Sequence, residues 1–244
     1  MKYYRSLQPF KLISFDLDDT LYDNSEVIRL AELNFVASLQ QESQIPQLDL
    51  SYWQVWKKRV EQQDPLLCED VVAWRLATIH QLLTFHGKSA VEIEQISAQS
   101  MAVFVQWRHK VAVPQQSFTV LTKLKPHFIL TVITNGNVEP ERIGFDHFDW
   151  VLRGGEHGRA KPHGDLFWQT AQRFNLKPEE ILHVGDNLVT DVQGAIQAGC
   201  QAVWLNLSGK SLNDFPETRL LPTLEMTNLD QLLELAVKNK EKTL

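Results

Sequence analysis

A short apolar run that ends in a cluster of carboxylates constrains the fold of this chain more than any other feature. The stretch reads Leu12-Ile13-Ser14-Phe15-Asp16-Leu17-Asp18-Asp19-Thr20-Leu21-Tyr22. A mostly apolar run of this length predicts a buried strand, and in open α/β sheets ligands bind beyond the carboxyl ends of such strands. If extended geometry continues, Asp16 and Asp18 point the same way, and their repulsion indicates a divalent metal or an acid–base pair. For this stretch alone, a solvated acidic turn is the alternative.

Composition limits the possible partners. The chain has 244 residues, 43% of them hydrophobic, which suits one core domain with an insertion. Its net charge of -6 argues against a general nucleic-acid or membrane surface, so an anionic substrate has to be held locally. Cys68 and Cys200 lack metal-ligand spacing, the N-terminus lacks a signal-peptide pattern, and no apolar run has the length of a membrane span. We expect a cytoplasmic protein with reduced thiols that binds no nucleic acid and no membrane.

A long stretch with helical periodicity separates the first predicted strand from the others. Trp53, Trp56 and Val60 share one helical face, and capping boxes are predicted where Asp23 precedes Glu26 and Ser89 precedes Glu92. Aromatic residues of this stretch are interpreted as core packing in preference to a stacking site for a planar substrate. Pro114 marks the return to the core. The sequence therefore predicts a core of residues 1–22 and 112–244 and a helical insertion of residues 23–111.

After Pro114, strands alternate with helices, which is typical of a parallel sheet covered on both faces. Strands are predicted over residues 128–134, 150–152, 181–184 and 202–205. Helices are predicted over residues 166–174 and 191–198, and a last amphipathic helix begins after Asn228 as its N-cap. The predicted fold class is α/β, with a Rossmann-like parallel sheet, helices on both faces and an inserted α-helical region.

Three further polar clusters follow in the second part of the chain. Thr134-Asn135-Gly136 offers a hydroxyl and backbone amides that suit a phosphate oxygen, and Lys161-Pro162 offers an ammonium group. Gly185-Asp186 ends a predicted strand, and Asp191 follows five residues later. Taken singly, Thr134-Asn135-Gly136 is explained by an ordinary turn and Asp191 by a helix cap, and Lys161-Pro162 carries almost no information. Asp186 can face the same pocket as Asp16.

With these four clusters in order, the chain resembles the haloacid dehalogenase-like superfamily of phosphatases. The four motifs of that superfamily appear as Asp16-Leu17-Asp18-Asp19-Thr20, Thr134-Asn135-Gly136, Lys161-Pro162 and Gly185-Asp186 with Asp191. The resemblance covers the core along nearly its whole length. It also implies that the insertion is the helical cap typical of one branch of the superfamily.

The resemblance implies a role for each motif residue. Asp16 is expected to attack the substrate phosphorus and form an aspartyl-phosphate, and Asp18 to act as general acid and base. Mg²⁺ is expected to bind Asp16, the backbone carbonyl of Asp18 and Asp186, while Asp191 supports the site indirectly or through water. Thr134, the amide of Asn135 and Lys161 are expected to hold the phosphoryl oxygens. Asp19 is expected only to support the turn.

The expected substrate is a small-molecule phosphate monoester. Sequence around the motifs, including Tyr22-Asp23-Asn24 and His183-Val184-Gly185-Asp186, resembles the bacterial subgroup associated with flavin mononucleotide and with the phosphorylated pyrimidine precursor of riboflavin. The alternatives are a phosphosugar phosphatase or mutase, a 2-haloacid dehalogenase, and a phospho-acceptor switch that resembles a signalling receiver. Asp18 disfavours a dehalogenase, because halide leaves without a proton.

Several residues beside the motifs are interpreted without a functional role. His183 lies within an apolar strand and is predicted to be a core histidine with satisfied hydrogen bonds. Arg153, His157 and Arg159 precede Lys161 and could reach the site, but we interpret them as exposed charges.

Overall fold

The computed structural model describes residues 1–243, with side chains described for residues 1–239. The chain divides into two compact units. Unit 1 consists of Met1–Tyr22, Ala112–Gly136 and Gly144–Leu244, and unit 2 consists of Asp23–Val111 and Asn137–Ile143. None of the described helices is both long and apolar enough to cross a membrane.

Unit 1 is built on a single sheet. Its strands are β1 (Lys2–Tyr3), β2 (Leu12–Phe15), β3 (Ile129–Thr134), β4 (Trp150–Arg153), β5 (Ile181–Gly185), β6 (Gln201–Leu205) and β7 (Leu224–Met226). Their order is β1-β7-β6-β5-β2-β3-β4, and all neighbours are parallel except β1 and β7. The predicted parallel sheet is confirmed. Strands β1 and β7 were not predicted, because two or three residues are too few to show a periodicity.

The helices fall into two groups. Unit 2 contains α1 (Ser25–Ser43), α2 (Leu50–Gln63), α3 (Val71–Phe85) and α4 (Ala90–Arg108). Unit 1 contains α5 (Gln115–Leu124), α6 (Asp165–Arg173), α7 (Gly194–Gln197) and α8 (Gln231–Thr243).

Both faces of the sheet are buried, which explains why its strands are apolar without alternation. Leu12 and Ile133 lie on one face and pack with side chains of α6 and α7. Phe15 and Val132 occupy alternate positions of the same strands and are also fully buried. Helix α8 begins at Gln231, so the predicted N-cap at Asn228 is wrong; the side chain of Asn228 instead accepts the backbone amide of Asp230 in the preceding turn.

The segment after Asp186 differs from the sequence-based expectation. A helix is predicted over residues 191–198, whereas the chain forms a π-helical turn at Leu188–Gln193 that continues into α7. Asn187 caps this turn by accepting two backbone amides of its first residues. Asp191 cannot cap a helix because its carboxylate faces inward and accepts the backbone amide of Asn187. Turns of this kind are frequent at functional sites.

Two predicted helix starts in unit 2 have opposite outcomes. The capping box of Ser89 and Glu92 is confirmed at the start of α4. The capping box of Asp23 and Glu26 is wrong, since the N-cap of α1 is Asn24 and its side chain caps nothing. Asp23 instead accepts the amide of Ser25 two residues on, a local turn that competes with capping.

Aromatic residues form the core of unit 2, as predicted. Trp53, Trp56 and Phe104 are at most 5% exposed and belong to one cluster. Arg75 is buried with them, where it pairs with Glu32 at 2.8 Å and stacks 3.7 Å from the ring centroid of Phe104. These rings therefore serve packing, which leaves them unavailable to a planar ligand.

Candidate active site

The polar motifs converge because three parallel strands end at the same edge of the sheet. Strand β2 lies between β3 and β5, with Phe15 in register with Val132 and Val184. Asp16, Thr134 and Asp186 therefore leave adjacent strand ends, although they are far apart in sequence. This is the edge where open α/β sheets bind ligands.

Lys161 connects the carboxylates of Asp16 and Asp191. Its ammonium donates to Asp16 Oδ1 at 2.8 Å, to Asp191 Oδ1 at 2.6 Å and to the backbone carbonyl of Ile133 at 2.6 Å. All three partners are protein groups, and a lysine has only three hydrogens to donate. In this structure Lys161 therefore orients the two carboxylates, and the phosphoryl group predicted to bind it has to displace one of these bonds.

Burial and charge set the protonation of this cluster. Burial raises the pKa of Asp16 to about 7, against the lowering effect of Lys161 and with the Asp191 and Asp18 carboxylates raising it further. Burial acts on Asp191 in the same direction, but the Lys161 ammonium and His183 hold its pKa well below the usual range. The pKa of Lys161 is raised, because the two carboxylates outweigh burial. The two buried carboxylates thus share a single ammonium, which lowers the pKa of Asp191 but does not outweigh burial at Asp16.

Asp186 is a second carboxyl group with a raised pKa. Burial raises its pKa to about 7, and the neighbouring charges of Asp191 and Asp19 add to this effect. Thr20 fixes its position, since the Thr20 hydroxyl accepts the amide of Asp186 at 3.1 Å and donates to Asp186 Oδ1 at 3.3 Å. No role is predicted for Thr20 from the sequence, because a single hydroxyl in a turn gives no periodic signal that could reveal one.

The carboxylates fit a hard divalent cation. Asp16, Asp186 and Asp191 each offer an oxygen, and these oxygens lie within 4.8 Å of one another. Oxygen donors with excess negative charge are the ligands that Mg²⁺ takes in proteins. Burial, and to a smaller extent the neighbouring carboxylates, raise the pKa values of Asp16 and Asp186, and a bound cation would oppose both effects.

Asp18 lies in the turn after β2 and is held by a tyrosine. The Tyr22 hydroxyl donates to Asp18 Oδ1 at 2.7 Å, and Tyr22 is itself buried. Asp19 adopts a left-handed conformation at φ 57° and donates its amide to the Tyr22 carbonyl, which closes the turn. Sequence reasoning missed the role of Tyr22, because its bond to Asp18 depends on this turn geometry.

Thr134 and Asn135 stand at the end of β3. The Thr134 hydroxyl accepts the amide of Gly136 at 3.0 Å. The Asn135 side chain binds the backbone of Lys161 twice, accepting its amide at 2.9 Å and donating to its carbonyl at 2.8 Å. Asn135 thereby fixes the segment that carries the ammonium group.

His183 supports the site from inside the sheet. It is fully buried, with Nδ1 2.9 Å from Ser14 Oγ and Nε2 3.5 Å from Asp191 Oδ1. Burial lowers its pKa to about 4, so the ring is neutral at physiological pH. The core histidine predicted from the sequence is confirmed. Gly185 packs directly against the Asp191 side chain, and a Cβ at this position would lie only 2.3 Å from Asp191 Cγ.

Comparison with known proteins agrees with this arrangement. A family model described as haloacid dehalogenase-like hydrolase matches residues 10–199. The chain is 39% identical over 237 residues to the 5-amino-6-(5-phospho-D-ribitylamino)uracil phosphatase YigB of Escherichia coli (strain K12), covering 96% of this chain and 100% of that protein. It is 28% identical to a glyceraldehyde 3-phosphate phosphatase of Pyrococcus furiosus, covering 93% of each chain.

A solved structure extends the comparison to three dimensions. The 2-haloacid dehalogenase from Pseudomonas syringae pv. Tomato DC3000 superposes with a TM-score of 0.86 at 32% identity, covering 94% of this chain and 99% of that one. The family match includes every strand-end motif described above. The predicted fold class and enzyme class are thus confirmed: the chain belongs to the haloacid dehalogenase-like hydrolase family and is a phosphatase of that family.

Proposed function

We propose that the protein hydrolyses a small phosphate monoester through a covalent intermediate on Asp16, with Mg²⁺ bound beside it. The observation that carries this proposal is the position of Asp16. Its Oδ1 is fixed by Lys161 at the edge of the sheet, which leaves Oδ2 as the attacking atom. Asp18, two residues on, supplies the second carboxyl group that a two-step displacement needs.

The two steps assign separate work to the two carboxylates. Asp16 Oδ2 bonds to phosphorus while the bond from phosphorus to the leaving oxygen breaks, and Asp18 gives its proton to that oxygen. Asp18 then takes a proton from a water molecule, whose oxygen bonds to phosphorus and releases Asp16 and inorganic phosphate. Tyr22 keeps Asp18 in place for both transfers.

We assign the metal to Asp16, Asp186 and the backbone carbonyl of Asp18, with Asp191 holding Lys161 and the π-helical turn in place. When bound, Mg²⁺ supplies positive charge that offsets the phosphoryl oxygens. Thr134 and the amide of Asn135 are proposed to hold phosphoryl oxygens from the neighbouring strand. These groups supply local contacts for an anionic ester in a chain whose composition is acidic.

For the substrate, we propose 5-amino-6-(5-phospho-D-ribitylamino)uracil, the compound in the name of the E. coli relative. The support is identity of 39% along the full length of that protein, against 28% for the archaeal glyceraldehyde 3-phosphate phosphatase. Flavin mononucleotide, which shares the ribityl phosphate, is the next candidate. We propose that unit 2 acts as the cap that selects among such esters.

The test is a screen of phosphate esters with purified protein and Mg²⁺. The panel contains the pyrimidine ester, flavin mononucleotide, a sugar phosphate and a nucleotide, and the readout is release of inorganic phosphate. Asp16→Asn is the matched control, since it keeps the shape of the side chain and removes the nucleophile. Preference for sugar phosphates would refute the substrate, whereas full turnover by Asp16→Asn would refute the mechanism.

A second function has one observation in its favour, the likeness at 32% identity to a solved 2-haloacid dehalogenase. Release of chloride from a 2-chloro acid in the absence of phosphatase turnover would establish it. The buried tyrosine that holds Asp18 favours the phosphatase, because only ester cleavage uses an acid at that position.

A further inference from the structure

The site described above is short of positive charge for an anionic substrate. Asp16, Asp186 and Asp191 lie together at one sheet edge, and Asp18 lies in the turn that follows Asp16. Lys161 donates its three hydrogens to protein acceptors. A phosphate monoester brings further negative charge to this edge. Lys161 and a bound Mg²⁺ together carry less positive charge than the four ionised carboxylates carry negative charge, so binding of the ester calls for a further cation with spare donors.

Arg153 lies at the same edge of the sheet, beside Thr134. It is the last residue of β4 and is paired in register with Thr134, the last residue of β3. In-register residues on adjacent parallel strands project their side chains to the same face, about 5 Å apart. Arg153 therefore flanks the threonine to which we assign a phosphoryl oxygen.

The guanidinium of Arg153 is incompletely satisfied. Its Nε is buried without a hydrogen-bond partner among the described residues, and Nη1 makes a 3.4 Å contact with Glu156 Oε2. A buried donor without an acceptor is costly, so such groups usually indicate a missing ligand or water. The Arg153 side chain is only 20% exposed, which distinguishes it from the exposed charge predicted from the sequence.

The loop that follows Arg153 holds it firmly. Its backbone amide donates to His157 Nδ1 at 3.1 Å, and its carbonyl accepts the amide of His157 at 3.0 Å. Gly154 packs against Ala160 and Asn135 so closely that a Cβ would lie 2.7 Å and 2.8 Å from them. Asn135 also makes two hydrogen bonds to the backbone of Lys161, so contacts with one residue position both the loop after Arg153 and the segment that carries the ammonium group.

From these observations we infer that Arg153 is a substrate-binding residue that donates to the phosphoryl group from the Thr134 side, while Glu156 holds its guanidinium when no anion is bound. The inference rests on the proposed phosphatase function. A guanidinium suits this role, because its paired N–H donors match the spacing of phosphate oxygens.

The experiment compares Arg153→Met and Arg153→Lys with Arg173→Met, which removes an equal charge from an exposed position at the end of α6. Two constants are measured with Mg²⁺: KM for p-nitrophenyl phosphate, and the inhibition constant of inorganic phosphate. Arg153→Met is expected to raise both by the same factor, about tenfold to a hundredfold as for a lost hydrogen bond to a charged group. Arg153→Lys is expected to recover part of the loss, and Arg173→Met to match the wild type.

Glu156→Gln separates binding from a structural role. If Glu156 competes with phosphate for Arg153, its removal tightens inhibition by phosphate, the opposite of Arg153→Met. If the pair serves only stability, both variants weaken phosphate alike, which overturns the inference. A raised KM with unchanged inhibition by phosphate overturns it too, since the arginine then touches the leaving group. Should the wild type turn over no ester, the proposed function fails by itself, and calorimetric binding of inorganic phosphate to wild type and Arg153→Met still decides the role of Arg153.

Discussion

Removing the charge of Asp186 should stabilise the metal-free protein while abolishing its response to Mg²⁺. The pKa of Asp186 is raised from 3.8 to about 7 by burial and by the charges of Asp191 and Asp19. A pKa difference of one corresponds to about 1.36 kcal/mol, so the ionised side chain costs the fold at most about 4 kcal/mol. Because Asp186 is only half-buried, solvent screening reduces this cost, and we expect a gain of about 2 to 4 kcal/mol for Asp186→Asn at pH 8.

The sign of the effect determines its pH dependence. Below pH 4 the carboxyl group is protonated in both folded and unfolded chains, and Asp186→Asn gains nothing. Between pH 4 and 7 the unfolded chain loses this proton first, so wild-type stability falls as pH rises. The advantage of Asp186→Asn therefore grows across this window and is complete near pH 8.

Thermal unfolding in EDTA at pH 5 and at pH 8 measures both quantities. For a chain of this length the expected gain is a rise in Tm of roughly 5 to 15 °C at pH 8, with less than half of it at pH 5. Adding Mg²⁺ should raise Tm of the wild type and leave Asp186→Asn unchanged. The matched control is Asp191→Asn, which should destabilise, since its charge is already compensated by Lys161. An Asp186→Asn protein no more stable than wild type at pH 8 would refute the reasoning.

The remaining predictions concern the neighbouring contacts. Asp18→Asn should lower kcat at least about a hundredfold through loss of acid–base catalysis. Tyr22→Phe should lower kcat less, because Asp18 can still transfer protons but loses the hydrogen bond that positions it. Steady-state kinetics measure both effects. Lys161→Met leaves two buried carboxylates facing each other, so we expect a loss of about 3 to 5 kcal/mol in urea unfolding that diminishes at low pH; equal losses at pH 5 and 8 would contradict this. Gly185→Ala should displace Asp191 and weaken Mg²⁺ binding by calorimetry, and unaltered affinity would count against the proposed packing.

The members of the site could be predicted from the sequence, but their pairings could not. Each motif follows an apolar run, and parallel strands bring such ends together whatever lies between them. Which atoms then bond depends on contacts between residues far apart in sequence, such as Lys161 and Asp16, which are separated by 145 positions. For this reason the sequence does not predict that all three Lys161 ammonium hydrogens are donated to protein acceptors.

The missed residues share a second physical cause. Tyr22 and Thr20 act through the tight turn after β2, whose geometry depends on the left-handed Asp19. Residues other than glycine seldom adopt that conformation, although aspartate does so more often than most, so the sequence alone does not indicate the turn. The π-helical turn after Asp186 was missed for a related reason. Its residues carry an ordinary helical pattern, and that pattern does not reveal the bond from the Asn187 amide to the Asp191 carboxylate.

The order of the strands in the sheet also has a consequence for how the chain is made. Leu12 of β2 pairs with Ile129 and Ile181, so the strand that carries Asp16 leaves the ribosome long before either of its partners. Residues 23–111 of unit 2 are complete by then. During that interval an apolar strand with unpaired edges is exposed to other chains, which is the condition that favours aggregation and chaperone capture. Asp16, the proposed nucleophile, is thus synthesised well before the strands that will surround it.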